Sequence, residues 1–412
     1  MGGFIITLSL FITFIFPILI SLFGLSYMGK EDGPLYILTV CIINFLSVSY
    51  IVYYEIRNHR KARGNPLVYI LPLLFCFLYL FEYAVGWVDV KDPSFLIFRN
   101  SIAISMVGIL AGVFCVRYNR FEDICKNTEL LMLLCTISLI FALPSMYSNG
   151  YDSSIGGGGG HQTISYVSAF AFGMNYCRIK FNPTWGYQIF RTHFYKSIAY
   201  VFLASQIVIC LIGGGRGGVV LLIVLALLSL LYTRESIIKL LSVVVLCFFV
   251  LYFASDISFW GIGEMISKGT ERAFAFIGDS SIDLAEGASG RDYVYEKALM
   301  LIVESPAIGY GFFRQYDLCE KYFQQPYSHN LFIELMLQGG MLLTLIFSII
   351  FIKFTYCLHR LVRRDNINAA LIAFSAFPFV MLMFSGSYLS TPLFWFVVLY
   401  VIGCHSQQRN IK

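Results

Sequence analysis

Apolar residues run along this chain in long blocks, not at alternating or heptad positions. The blocks fall near 4–27, 35–54, 66–86, 95–116, 129–147, 163–177, 197–213, 218–232, 238–254, 331–356, 369–387 and 391–405. A helix needs roughly 17–25 apolar residues to cross a bilayer, whereas a membrane barrel shows short alternating segments. The pattern therefore predicts an all-α polytopic membrane protein with about twelve transmembrane helices. One polar interval is far longer than the rest. It divides the chain into helices 1–9 over residues 1–254, a large loop over 255–330, and helices 10–12 with a tail over 331–412. The opening "MGGFIITLSLFITFIFPILISLFGLSYMGK" shows neither a basic leader nor a small-residue cleavage site, so it reads as a retained span.

The long loop has the aromatic content to bury a small core, with Trp260, Phe274, Phe276, Tyr293, Tyr295, Phe312, Phe313, Tyr322 and Phe323. Within it, "SGRDYVYEKALMLIVESP" predicts a helix that Ser289 caps and Pro306 ends. Val294, Ala298, Leu301 and Ile302 recur at helical spacing, so this amphipathic helix is expected to lie flat against the membrane domain. "AIGYGFF" then supplies a glycine-rich turn. A second polar stretch, "YSNGYDSSIGGGGGHQ" at 147–162, reads as a spacer or a lid. The hydropathy shows no matched halves of the kind that inverted-repeat transporters carry.

Charge turns the spans into a topology. Only 13% of residues are charged and 58% are hydrophobic, against about 25% charged in soluble domains. Positive residues mark cytoplasmic loops. They collect at Arg57, Arg60, Lys61 and Arg63, and recur in alternate loops through Arg360, Arg363, Arg364 and the tail. Both termini are then cytoplasmic, and the long loop faces outward. The net charge of +5 is spread without a basic stripe, so nucleic acid is not an expected partner. The 11 cysteines sit mostly in apolar runs, no CxxC or His/Cys cluster appears, and no metal or other cofactor is expected.

Three cationic groups on the outer side are candidates for chemistry. Arg216 lies in "GGGRGG", where glycines allow close backbone approach and a guanidinium can grip phosphate oxygens in pairs; the alternative is a tight hairpin whose arginine reaches lipid headgroups. Arg291, in "SGRDY", starts the loop helix, where helix dipole and guanidinium together favour an anion, or else pairs with Asp292 or Glu296. His329, in "PYSHNLFIEL", is either an interfacial ring bonded to a carbonyl or a general base, since histidine titrates near neutrality. Glu334 follows five residues later and would orient the ring, stay protonated, or cap the helix. "QGGMLL" is expected to allow close helix packing. Two arginines and a histidine on one membrane face would suit a lipid-linked pyrophosphate donor, with the histidine deprotonating an acceptor hydroxyl.

"SGRDYVYEKALMLIVESPAIGYGFF" followed by "YSHNLFIELMLQGGMLL", with "GGGRGG" upstream, resembles the O-antigen polymerase and O-antigen ligase superfamily. The likeness is strongest over about 205–350. It implies a GT-C-like, metal-independent membrane glycosyltransferase working on undecaprenyl-pyrophosphate-linked oligosaccharide at the periplasmic face of a bacterial inner membrane. It also implies Arg216 and Arg291 on the pyrophosphate, His329 as base, Arg314 as a sugar or phosphate contact, and Asn330 and Tyr310 as support around the site. A chain-length-regulating co-polymerase is an implied partner. Ligases carry a glycine ten residues after the histidine–asparagine pair and a Gly, Thr or Tyr three later. Here Gly340 fits, Leu343 does not, and Thr344 is one place too far. That departure favours a polymerase over a ligase that transfers glycan to the lipid A core. A lipid-linked oligosaccharide flippase would instead place charges within its spans.

Overall fold

The computed structural model describes residues 2–21, 34–61, 69–89, 92–148, 161–187, 190, 192–233, 262–274, 291–323 and 328–409. Among these residues the regular structure is entirely helical. In chain order the α-helices are α1 (Gly2–Ser21), α2 (Pro34–Asn58), α3 (Leu71–Ala84), α4 (Pro93–Asn100), α5 (Met106–Tyr118), α6 (Phe121–Ser148), α7 (His161–Phe181), α8 (His193–Gly213) and α9 (Arg216–Thr233). They continue with α10 (Ile262–Phe274), α11 (Arg291–Glu304), α12 (Arg314–Phe323), α13 (Leu331–Arg364), α14 (Leu371–Phe384) and α15 (Pro392–Arg409).

Eight of the described helical stretches are long and apolar enough to cross a membrane, and the chain is a multi-pass membrane protein. The other four expected spans differ for separate reasons. Residues 66–86 and 391–405 give the shorter apolar helices Leu71–Ala84 and Pro392–Ser406. Helix α7 reaches 21 residues but carries Gln162, Ser165, Ser168, Asn175, Arg178 and Lys180. The run at 238–254, residues 149–160 of the lid or spacer at 147–162, and the cap Ser289 lie outside the described residues.

The chain forms two compact units. One holds residues 1–45, 121–275 and 362–380, with α7 at its centre against α8 and α9. The buried rings Phe11, Phe121, Phe170, Phe374 and Phe377 interlock there. At the basic end of α7, Arg178 pairs with Glu129 through two bonds of 2.6 Å and lies over the Trp185 ring. Both partners are nearly sealed from solvent, and a fork-shaped cation bonded twice to a carboxylate is what makes such a buried pair tolerable.

The other unit holds residues 46–120, 276–361 and 381–412. Helices α5 and α15 approach closely because Gly108 faces the Pro392 backbone and Gly112 faces Phe396, as small residues permit in membrane helix pairs. Helix α11 buries Val294, Ala298 and Leu301 against Cys319 and Phe323 of α12 and Leu337 of α13. Helices α10 and α12 add to the short amphipathic helices expected of the loop. In α12 the buried positions Tyr316, Cys319 and Phe323 share one face.

Helix α13 is broken, which corrects the reading of "QGG" as a mere packing patch. Gly339 and Gly340 leave helical geometry, Gly340 at φ 58° and ψ −153°, a region that is essentially glycine-only. A continuous helix would bond Met341 to Leu337 and Leu342 to Gln338. Instead the segment 306–311 meets all four groups. Tyr310 and Gly311 donate their N–H groups to the Leu337 and Gln338 carbonyls at 2.7 and 2.9 Å, while Met341 and Leu342 donate to the Pro306 and Ala307 carbonyls at 2.8 and 3.3 Å.

A Cβ at residue 340 would lie 2.4 Å from the Ala307 backbone, whereas one at Gly386, also at positive φ, would meet open space. Gly340→Ala is expected to cost about 3 kcal/mol or more, from strain plus overpacking. Gly386→Ala should cost only about 1–2 kcal/mol. Thermal unfolding of the detergent-purified variants measures both, and equal shifts would contradict the break.

Candidate functional site

The site grows from the start of α13. Asn330 caps this helix, its side-chain oxygen accepting from the N–H groups of Phe332 and Ile333 at 3.0 and 3.3 Å. Its support role is therefore local: it fixes where the helix begins. Immediately before it, His329 takes a left-handed backbone at φ 54°. Such a conformation costs about 1–2 kcal/mol for a residue with a Cβ, although histidine adopts it more readily than most. Ser328 is buried and donates to the Asn330 carbonyl at 3.2 Å, which tightens the same turn. The His329 ring is half-buried, placed where a sharp turn hands over to a membrane-spanning helix.

Glu334 lies one turn into α13 and is 1% exposed. Asn330, not Glu334, caps the helix. The Glu334 carboxylate accepts from Tyr316 and Ser387 hydroxyls, both at 2.5 Å, and those two hydroxyls are 2.8 Å apart. Gln338, one turn further, donates to the Tyr316 hydroxyl at 3.2 Å and accepts from Tyr388 at 2.6 Å. Burial, followed by the neighbouring Glu334 charge, pushes the Tyr316 and Tyr388 phenols well up, so both act as hydrogen donors. The network ties α12 and the 385–391 turn to the first half of α13. Ser387 and Tyr388 were not legible as site residues, because a serine–tyrosine pair between two apolar runs looks like an ordinary loop.

Glu82 was likewise missed. It sits in α3, is 3% exposed, and accepts three consecutive N–H groups, from Phe312, Phe313 and Arg314, at 2.6, 3.0 and 3.0 Å. The carboxylate thus fills the N-terminus of α12, where unpaired donors and the helix dipole favour an anion. Asp317 of α12 returns the arrangement, accepting from the Ser94 N–H at the start of α4 at 2.8 Å. Phe313 is fully buried between the Tyr79 and Phe98 rings. Lone acidic residues in an apolar helix were the available signal for Glu82.

The remaining candidates separate by unit. Tyr310 is structural support: its hydroxyl donates to the Leu301 carbonyl at 2.9 Å and meets Glu304 at 3.1 Å. Burial and the Glu304 bond raise its phenol to about 12. Arg314 starts α12, and its guanidinium stands over the Trp87 ring. Arg291 starts α11, as the sequence suggests, and its side chain lies outside the described residues. These residues share one unit with His329, Asn330 and Glu334.

Arg216 belongs to the other unit. It is the first residue of α9, two residues after the α8 cap Gly214 at φ 61°. Its flanking glycines are required by packing: a Cβ at 217 would strike the Tyr166 hydroxyl, and one at 218 the Ser165 side chain. Both packing and ligand approach thus ask for glycine here, and the motif's first role is to let α9 seat on α7.

Residues 199–348 match the family model described as O-antigen ligase. The match supports the O-antigen ligase and polymerase superfamily for this segment. Membership of that family implies a glycosyl-transferring enzyme of O-antigen or polysaccharide assembly. The match includes every arginine, histidine and carboxylate candidate named from the sequence, and it excludes Glu82, Trp87, Ser387 and Tyr388. No curated protein matches the chain.

Burial raises the Asp317 carboxyl to about 6, against the pull of the Ser94 backbone bond. The folded chain then holds that proton more tightly than the unfolded chain, whose aspartates titrate near 4. The stability this group contributes is complete below about pH 4 and is lost as the pH rises through 6. Wild-type melting temperature should therefore fall between about pH 4 and pH 6. Asp317→Asn, which keeps an acceptor for Ser94, should flatten that fall; an unchanged slope would count against the assignment.

Proposed function

We propose that this protein is a surface-polysaccharide polymerase. It joins undecaprenyl-pyrophosphate-linked repeat units on the outer face of a bacterial inner membrane, with both termini cytoplasmic. The observation that carries the reading is the strained His329, set by the Asn330 cap at the start of a broken membrane helix inside the matched domain. His329 takes the proton of the acceptor sugar hydroxyl as that oxygen bonds the anomeric carbon of the growing glycan. The bond from that carbon to the pyrophosphate oxygen breaks, and undecaprenyl pyrophosphate leaves as the anion. Arg291 and Arg216 contact and neutralise the departing pyrophosphate. A general base of this kind typically contributes about 10²–10⁴-fold in rate. A chain-length regulator acting on the same product is the expected protein partner.

The ligase reading has a specific observation behind it, since the matched model carries that description and Gly340 sits where ligases place a glycine. Leu343 in the last motif position favours polymerase.

His329→Ala and Arg291→Ala should abolish long glycan on a gel while the full chain still reaches the membrane in normal amount. Wild-type glycan from the His329→Ala strain would end the base assignment. Arg216→Lys should retain under a tenth of the activity if paired phosphate contacts matter. In a deletion strain, loss of a polymerase leaves a lipid core capped by one repeat unit, whereas loss of a ligase leaves a bare core.

A further inference from the structure

Arg314 is held at both ends by a segment that lies outside the matched domain. Its backbone N–H is fixed by Glu82 at 3.0 Å, and its guanidinium stands 5.5 Å from the centroid of the Trp87 ring. A guanidinium held over an indole face by cation–π attraction gives the ring no hydrogen bond in its plane and keeps N–H donors for a ligand. Among the described residues no carboxylate forms an ion pair with this cation. The side chain is half-buried, so it is both constrained and reachable. The positive end of α12 is already occupied by the Glu82 carboxylate, and what remains for an external anion is the guanidinium alone.

Surroundings indicate where that anion would come from. Trp87 is 40% exposed, and Phe81, whose ring meets it edge-on at 6.4 Å, is 50% exposed, as is nearly the case for Tyr83. They cluster where the apolar helix α3 ends. Exposed tryptophan and tyrosine at the end of an apolar helix mark the bilayer–water boundary, the depth at which lipid phosphates lie.

We propose that Trp87 and Glu82 are positioning residues that preset Arg314 as a contact for a phosphate-bearing lipid headgroup at the membrane surface. The assignment of that headgroup to the donor's pyrophosphate rests on the function proposed above; a bulk anionic phospholipid offers the same chemistry. The contact extends the candidate site beyond the residues that motif spacing supplies, and it gives the α3–α4 loop a part in recognition.

Binding to the full chain in nanodiscs tests this without any transfer reaction. The probes are undecaprenyl pyrophosphate and undecaprenol, which has the same tail and no phosphate. In neutral phosphatidylcholine nanodiscs, Trp87→Leu, Glu82→Gln and Arg314→Lys should each raise the Kd for undecaprenyl pyrophosphate at least fivefold. Undecaprenol binding should stay within twofold, and Trp87→Phe, which keeps a ring face, should restore most of the affinity. A merely structural defect would weaken both probes alike, and that result would overturn the proposal. So would wild-type pyrophosphate affinity in the Trp87→Leu and Glu82→Gln chains, unless the same variants retain less phosphatidylglycerol in anionic nanodiscs. That last pattern supports the preset contact and gives its source as bulk phospholipid. Tight binding by a wild-type chain that transfers no glycan would sink the enzymatic reading alone.

Discussion

A bilayer offers no water to an unpaired backbone group, so a helix interrupted within the membrane must find new partners for the bonds it gives up. The rest of this unit's structure follows from how α13 meets that demand. Two carbonyls and two N–H groups freed at Gly339 and Gly340 are matched one for one by the segment 306–311. That segment must then run flush against the break: Gly309 adopts φ 62°, and a Cβ there would lie within 2.7 Å of the Leu337 and Gln338 backbone. The chain direction this imposes carries Phe312, Phe313 and Arg314 to Glu82 and starts α12 there.

Helix α12 in turn sets the chemistry. Its Tyr316 reaches the Glu334 carboxylate on the half of α13 that begins at His329. Buried polar groups in low dielectric are costly when unpaired and rigid when paired. Here the hydroxyls of Tyr316 and Ser387, the Gln338 amide and the Tyr388 hydroxyl all converge within two turns of one helix. A half-helix locked in this way holds a left-handed residue at its head without relaxing it, so the strain at His329 is maintained by contacts made further down the helix.

Much of the helical layout was legible because long apolar runs have few other fates. Eight of the twelve expected spans appear as membrane-length helices, and Val294, Ala298 and Leu301 face inward as their spacing requires. The motif order also pointed to the matched domain. What the sequence hid was long-range pairing. "QGG" is compatible with close packing or with a break, and only the partner segment thirty residues earlier decides between them. Glu82 carries no motif signal because its partners are backbone amides, which every residue owns and no motif can display. The glycines around Arg216 read as a ligand approach or a tight hairpin, and what no motif displays is that a Cβ at 217 or 218 would also strike Tyr166 or Ser165. Pattern reading identifies side-chain chemistry well and backbone exchange poorly.

The matched segment 199–348 is not a portable piece of protein. Cutting it out would strand the α12 amides without Glu82, Glu334 without the Ser387 hydroxyl, and Gln338 without Tyr388. Three kinds of partner, from α3 and from the turn before α15, lie on either side of it in the chain. Any chain that carried only this stretch would need the same hydrogen-bond closure from flanks of its own. Transplanting specificity between such chains is a matter of moving the flanks as well as the motif.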